Sequence, residues 1–215
     1  MLRFDPAKFK ASYYPSQTIR QTADDFRNTY WHSEELPIDI AGIVELDLKL
    51  EIRPVDRLKE FLDIDALLFG NMKGITVDKQ DFMNDKAQNR LRFSLAHEIG
   101  HYVLHRDVYN NFPYDDPDGW IELTQQIPKE EYDWIEYHAN EFAGRLLVAR
   151  DFLEKDLKKA VKHAESTGFS KWNALDKDRK EFAKEYIASA ICKKYGVSQQ
   201  VIMRRLDREE LWPPH

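Results

Sequence analysis

The sequence predicts an α+β fold, with a small antiparallel sheet packed on two long helices and a helical C-terminal part. Three observations predict it. The only strand-like patterns lie before residue 85, and helical periodicity dominates from Asn89 onward. Eight glycines and nine prolines in 215 residues are too few for a turn-rich all-β chain. Hydrophobic residues make up 42% and charged residues 33%, so the chain can bury a core.

The elements follow in order. The first 20 residues are aromatic and basic and read as an arm or short helix, with a helix over 21–33 ending near His32. A further short helix is expected at Ile38–Ile43. Leu46–Pro54 alternates apolar and polar through Leu46, Leu48, Leu50 and Ile52, the pattern of a half-buried strand. Asp65–Val77 reads as two strands around Gly70-Asn71 and Gly74, a hairpin signal. Residues 89–105 form the next helix. Asn110, Asn111, Pro113, Pro117 and Gly119 then compose a loop, and 106–129 is longer than ordinary connections. A second long helix begins at Pro128 and runs to about Val148. A third covers 151–165, stopped by Thr167-Gly168. A fourth covers 176–195, and Gly196-Val197-Ser198 breaks it before a last helix at 199–206. The division expected is an N-terminal arm over 1–35, a core over 36–168, and a helical segment over 169–215 within the same domain.

Charge and cysteine content exclude several classes. The net charge of −6 argues against binding DNA with the whole surface, since phosphate contacts need clustered Lys and Arg. A single cysteine, Cys192, permits neither an internal disulfide nor a cysteine-cluster metal site. No run of 18 apolar residues occurs, and the N-terminal stretch lacks a signal-peptide core. A cytoplasmic protein without membrane partners is expected.

The chemistry concentrates in His97-Glu98-Ile99-Gly100-His101. Histidines at i and i+4 share one helix face, so their ring nitrogens can converge on one ion such as Zn²⁺. Glu98, one position on, is placed to act as general base on a metal-activated water. Phe93, Ala96 and Val103 make the helix largely buried, and buried histidines need partners. His105 lies roughly 12 Å along the axis from His97. It cannot share the ion and reads as a helix cap or a supporting residue.

A catalytic zinc needs a third protein ligand. The second helix offers Glu136 beside its apolar stripe of Ile135, Ala139, Phe142 and Leu146. Glu136 is the choice, with Glu141 and His138 as alternatives. Glu141 reads as an exposed pair with Arg145 at i+4, and His138 is about 200° round the helix from Glu136. Asn140, one turn on, is a candidate to orient a liganding histidine. Gly100, Ala139, Ala143 and Gly144 are small, as a close approach of the two helices requires. The oxyanion stabiliser is not assigned, and Tyr102, Tyr132, Tyr137 and His138 are its candidates. Mn²⁺ or Fe²⁺ can also occupy a His₂Glu site.

Residues 187–206 carry helix-turn-helix patterning. Lys193, Lys194, Arg204 and Arg205 occur there with no acid between Ser189 and Leu206. Direct DNA binding is the less favoured reading. The favoured one is a helical corner that completes the domain, with Cys192 a small core residue.

RFSLAHEIGHYVLH, EYHANEFAGRLL and KKYGVSQQVIMRRL, in this order, resemble the ImmA/IrrE family of zincin metallopeptidases. The resemblance spans about residues 36–210. It implies a zincin-like fold, with His97, His101 and Glu136 as metal ligands and Glu98 as the base. It further implies cleavage of helix-turn-helix transcriptional repressors. Two positions depart from the family's habit: His138 stands where Glu is common, and Val148-Ala149 where a proline often ends the helix. The alternative function is a non-catalytic metal-containing module that binds a repressor, DNA or a toxin–antitoxin partner.

Overall fold

A computed structural model describes residues 5–111, 114, 116–166 and 176–214, with Phe61 described by its backbone alone. It is a mixed α+β structure, mostly helical, with one three-stranded sheet. The chain begins with a 3₁₀ turn, Pro6–Lys8, then helix α1, Ser16–Tyr30, longer than the expected 21–33 at its N-terminal end.

Helix α2, Ile40–Gly42, is capped by the Asp39 carboxylate, which accepts from the Gly42 N–H at 3.0 Å. It passes directly into a π-helical turn, Ile43–Asp47. The expected strand over Leu46–Pro54 is thereby shortened to β1, Glu51–Val55. The period-2 pattern from Leu46 competes with the helical spacing of Ile40, Ile43 and Val44, all three buried. The helical set wins locally, and Leu46 is left 77% exposed.

Helix α3, Leu58–Leu62, connects β1 to β2, Ala66–Leu68, and β3 is Gly74–Asp78. The hairpin β2–β3 is antiparallel as predicted, with Ala66 opposite Val77. The other pairing corrects the antiparallel expectation: β1 runs parallel to β3, Glu51 opposite Gly74, in the order β1-β3-β2. The α3 connection between β1 and β2 makes this possible, since a parallel neighbour needs more chain than a tight turn. The central strand β3 is buried along its whole length, and β2 is an edge.

Asp78 caps α4, Lys79–Phe82, through the N–H groups of Gln80 and Asp81. A 3₁₀ turn then leads into α5, Gln88–Leu104. The expected loop after it contains two helices, α6 (Arg106–Asn111) and α7 (Pro117–Gln126). Its composition hides a start signal: the Asp116 carboxylate caps α7, and Pro117 follows as the first helical residue. Then come α8 (Lys129–Leu147), α9 (Arg150–Ser166), α10 (Lys177–Tyr195) and α11 (Gln199–Arg208). The predicted stop at Thr167-Gly168 lies outside the described residues.

Helices α5 and α8 form the most extensive contact between elements, with the sheet on the other side of α5 and α1 against α8. Phe26 of α1 meets Phe142 of α8 edge-on, 5.8 Å between ring centres. A methyl group added at Gly100 would sit 3.0 Å from Ala139 Cα and 3.1 Å from its carbonyl oxygen. The glycine therefore sets the helix spacing, as its small size predicted.

Helices α10 and α11 form the C-terminal part, α10 against α9 and α11 and α11 against α8. Gly196, at φ 59°, ends α10, and Ser198 caps α11. Of the four cations in the helix-turn-helix-like segment, Lys194 is paired with Asp156 at 2.7 Å and Arg205 is 4% exposed inside an ion network. Only Lys193 and Arg204 project freely to solvent. Among the described residues, no helix is long and apolar enough to cross a membrane.

Candidate metal centre

Helix α5 presents His97 and His101 one turn apart towards α8. The two Nε2 atoms lie 3.0 Å from each other. Glu136 of α8 faces them, Oε2 3.3 Å from His97 Nε2 and Oε1 3.4 Å from His101 Nε2. All three donor sets lie within 4.8 Å of one another. Glu141 and His138, the alternatives for the third position, point elsewhere. Glu141 belongs to a buried ion network, and His138 is buried on the far side of the helix, stacked on His105 at 5.7 Å. The expectation of an exposed Glu141–Arg145 pair is thus corrected: the two side chains are 8% and 2% exposed. Helix α11 covers them with Arg205 and Glu209.

Two imidazole nitrogens aimed at each other, with a carboxylate closing the triangle, need a positive charge among them. A proton or a metal ion supplies it, and two histidines with one carboxylate form a donor set suited to a catalytic divalent metal. The electrostatics agree. Burial disfavours a charged His97, but the hydrogen bond and charge of Glu136 outweigh it and raise the pKa. Burial likewise opposes the Glu136 carboxylate, yet its hydrogen bonds to His101 and His97 hold its pKa well below the ordinary range. Among the described residues no fourth His, Cys, Asp or Glu joins the cluster. The three side chains line a pocket of about 310 Å³.

Glu98 lies on the sheet side of the same pocket. Its Oε2 accepts a hydrogen bond from the Leu68 N–H of edge strand β2 at 2.7 Å. Burial pushes its pKa up against the pull of His101 and His97, the direction that suits a proton-transferring carboxyl. Leu68 is fixed at both ends, because the Tyr114 hydroxyl donates to its carbonyl. Tyr114 can approach only because Gly70 has no side chain: an added methyl would fall 2.1 Å from the Tyr114 carbonyl oxygen.

Two further side chains adjoin the cluster. His105 caps α5 and places its Nδ1 3.1 Å from His101 Nδ1. It is both the cap and the support expected of it. Burial, then the neighbouring His101, drives the His105 pKa down to about 2, so the ring is neutral. Asn140 lines the pocket next to His97, and its amide donates to the Glu136 carbonyl at 2.8 Å.

Of the four candidate oxyanion stabilisers, only Tyr132 lines the metal pocket; Tyr102 stacks under Arg106 instead. Tyr137 and His138 face other surroundings. Tyr109 and Trp120 complete the pocket wall, stacked at 5.8 Å, and sequence reasoning missed both by treating 106–129 as a loop. Their available signal was the recurrence of aromatics at Tyr109, Tyr114 and Trp120. Burial raises the pKa of Tyr109, Tyr114 and Tyr132, so each hydroxyl keeps its proton as a donor.

No curated protein matches the chain. Residues 83–207 match the family model Peptidase_M78, the IrrE N-terminal-like domain. The match runs from the turn before α5 through α11 and contains every residue of the cluster. The chain therefore belongs to the Peptidase_M78 metallopeptidase family, the ImmA/IrrE family that its three motifs resemble.

Proposed function

We propose that the protein is a zinc-dependent metallopeptidase of the cytoplasm that hydrolyses a peptide bond in a helix-turn-helix transcriptional repressor. The observation that carries the catalytic reading is the convergence of His97, His101 and Glu136 beside Glu98, with one side open to a pocket. A purely structural metal would be closed by four protein ligands. The repressor as substrate rests on the family resemblance.

His97 Nε2, His101 Nε2 and one Glu136 oxygen would hold the metal. When bound, it would polarise water and the substrate carbonyl. Glu98 takes the proton of the attacking water and delivers it to the leaving amide nitrogen. The hydrogen bond from Leu68 N–H fixes this carboxyl in place, and burial raises its pKa, which favours its holding the proton between the two steps. His105 holds the His101 ring from behind, which fixes the orientation of Nε2. Tyr132, protonated and in the pocket wall, is available to donate to the carbonyl oxygen as it gains charge.

The test is metal content together with turnover. Wild-type protein purified without a metal-affinity tag should hold about one zinc per chain, and Glu136→Ala should lose it. Glu98→Gln should retain the zinc and lose repressor cleavage by at least about 100-fold. Equal cleavage by Glu98→Gln would remove the base assignment. A wild type that takes up no transition metal after zinc is added would remove the reading altogether.

A further inference from the structure

The metal pocket adjoins a second pocket. Phe93 and Asn140 line both. Beyond them, between α8 and α11, a pocket of about 300 Å³ is walled by Tyr137, Glu141, Arg204, Arg205 and Arg208. Three guanidinium groups face one carboxylate, in a chain whose net charge is −6. The metal pocket is lined differently, and its Asp65 is paired with Lys59. Asp63, Asp65, Glu98 and Glu136 line it, with no Lys or Arg among its described lining residues.

The three arginines differ in availability. Arg205 is buried and committed to Glu209, yet its Nη1 makes no hydrogen bond, with Glu141 Oε1 3.5 Å away. Arg208 donates to the Tyr137 hydroxyl at 3.0 Å and lies over its ring at 5.1 Å. Its nearest carboxylate oxygen, of Glu141, is 3.9 Å away. Arg204 is exposed and has no ion pair or hydrogen bond among the described residues. The Tyr137 hydroxyl accepts from Arg208 and keeps its own proton to donate. An unpaired guanidinium, a loosely paired one and a hydroxyl donor thus share one pocket. All three donate and none carries negative charge, which is the chemistry of a carboxylate site.

The distance fits a neighbouring side chain of a bound peptide. The part of α8 that forms this pocket, Tyr137 to Gly144, is centred roughly 7 Å along the axis from Glu136. An extended peptide covers about 3.3 Å per residue and turns every second side chain to the same face. We propose that the pocket is a subsite for an acidic side chain, Asp or Glu, two residues from the scissile bond. The proposal rests on the peptidase reading and names a feature of its substrate. The guanidinium groups and the Tyr137 hydroxyl would fix the register of the peptide by holding that one acid.

The test separates the subsite from the peptidase reading. Zinc-loaded Glu98→Gln protein is titrated calorimetrically with nine-residue Ala/Leu/Ser peptides, acetylated and amidated, each carrying one Glu at a successive central position or Gln in its place. At one position Glu should bind about tenfold more tightly than Gln. The preference should shrink at high salt and vanish when Arg204→Ala and Arg208→Ala are added to the Glu98→Gln background. Equal affinities, a preference that survives both arginine substitutions, or no binding of any peptide would overturn the subsite. A Gln peptide with a free C-terminus that binds as tightly as the Glu peptide would replace the acidic side chain by a terminal carboxylate and also overturn it. Digestion of a peptide mixture by the wild type, read by mass spectrometry, tests cleavage independently. Cleavage without an acidic preference would leave the peptidase reading standing alone, and a binding preference without cleavage would leave the subsite alone.

Discussion

Replacing Glu209 by glutamine removes the hub of a buried ion network while keeping its volume. The Glu209 side chain has no solvent exposure, and four arginines converge on it. Arg145 Nη1 lies 2.6 Å away, Arg20 Nη2 2.7 Å and Arg150 Nη1 3.0 Å, and Arg205 Nη2 completes the set. Arg20 and Arg150 are 34% and 41% exposed, so water takes over their solvation when the carboxylate goes, and they contribute little. Arg145 and Arg205, 2% and 4% exposed, have no such recourse and keep Glu141 as their ion-pair partner, with Ser16 and the Val148 carbonyl as neutral acceptors. Uncompensating a buried charge costs about 3–5 kcal/mol, and the remaining carboxylate argues for the lower end, about 3 kcal/mol. That is a large part of the roughly 5–15 kcal/mol by which domains are stable. Urea unfolding followed by tryptophan fluorescence should show it as a lower midpoint at unchanged slope, and heating as a melting temperature lower by about 6–12 °C. A loss under about 0.5 kcal/mol would refute the reasoning. Simultaneous replacement of Glu141, Arg145, Arg205 and Glu209 by apolar residues of similar size should recover most of the loss, because no charge is then stranded.

Acid should erase the same contribution. Burial pushes the Glu209 pKa up, but Arg205 and Arg145 outweigh it and the folded value is lowered. Its stabilisation is therefore present in full above the unfolded value of about 4.3 and is lost as pH falls through the folded value. The stability difference between wild type and Glu209→Gln should shrink from about pH 7 to about pH 3; a constant difference would contradict the assignment. Burial shifts the Asp24 pKa the opposite way and the Glu209 charge adds to that shift, so Glu209→Gln should also bring Asp24 closer to its ordinary value. Gly100→Val should weaken zinc binding by about tenfold with the helices retained, measured by competition with a chromophoric chelator. Its Cβ alone would press on the Ala139 backbone, which cannot step aside, and would part the helices that bear the ligands. Unchanged affinity would mean that the contact does not set the site.

The convergence of the candidate metal-ligating side chains was legible because its information is local. His97, Glu98 and His101 lie within five consecutive residues, and 3.6 residues per turn fixes their relative directions whatever the rest of the chain does. Glu136 was readable from its place beside an apolar stripe. The same periodicity misplaced the Glu141–Arg145 pair. A spacing of four says that two side chains meet, not that their shared face looks to water. What covers them is Arg205 and Glu209, sixty residues on. The direction of β1 failed for a related reason. Alternation identifies a strand, but whether it lies parallel to β3 depends on the route of the chain through α3. In 106–129 the Asn, Asp, Pro and Gly content outweighed a valid helix start at Asp116-Pro117, and the pocket-wall residues Tyr109 and Trp120 were lost with it.

These successes and failures divide along a physical line. Chemistry at the metal needs donor atoms within a few ångströms, and one helix turn delivers two of them by itself. Selection of a substrate needs a surface several residues long, and here that surface is assembled from distant segments: β2, the α6–α7 region, α8 and α11. Arg204 and Arg208 reach the site from the C-terminal helix, in a segment whose cations otherwise read as a DNA-facing stripe. In the folded chain one of those cations, Arg205, is locked inside and another, Lys194, is paired with Asp156. Arg204 and Arg208 line the pocket beside the candidate metal centre, where the proposed subsite would use them on one carboxylate rather than on a phosphate backbone. On the proposed reading this segment completes the fold and supplies the arginines of the second pocket. It follows that α11 and the ligand-bearing helices divide the work: substitutions at Arg204 and Arg208 should change which peptides bind and leave metal content untouched, whereas those at His97, His101 and Glu136 should do the reverse.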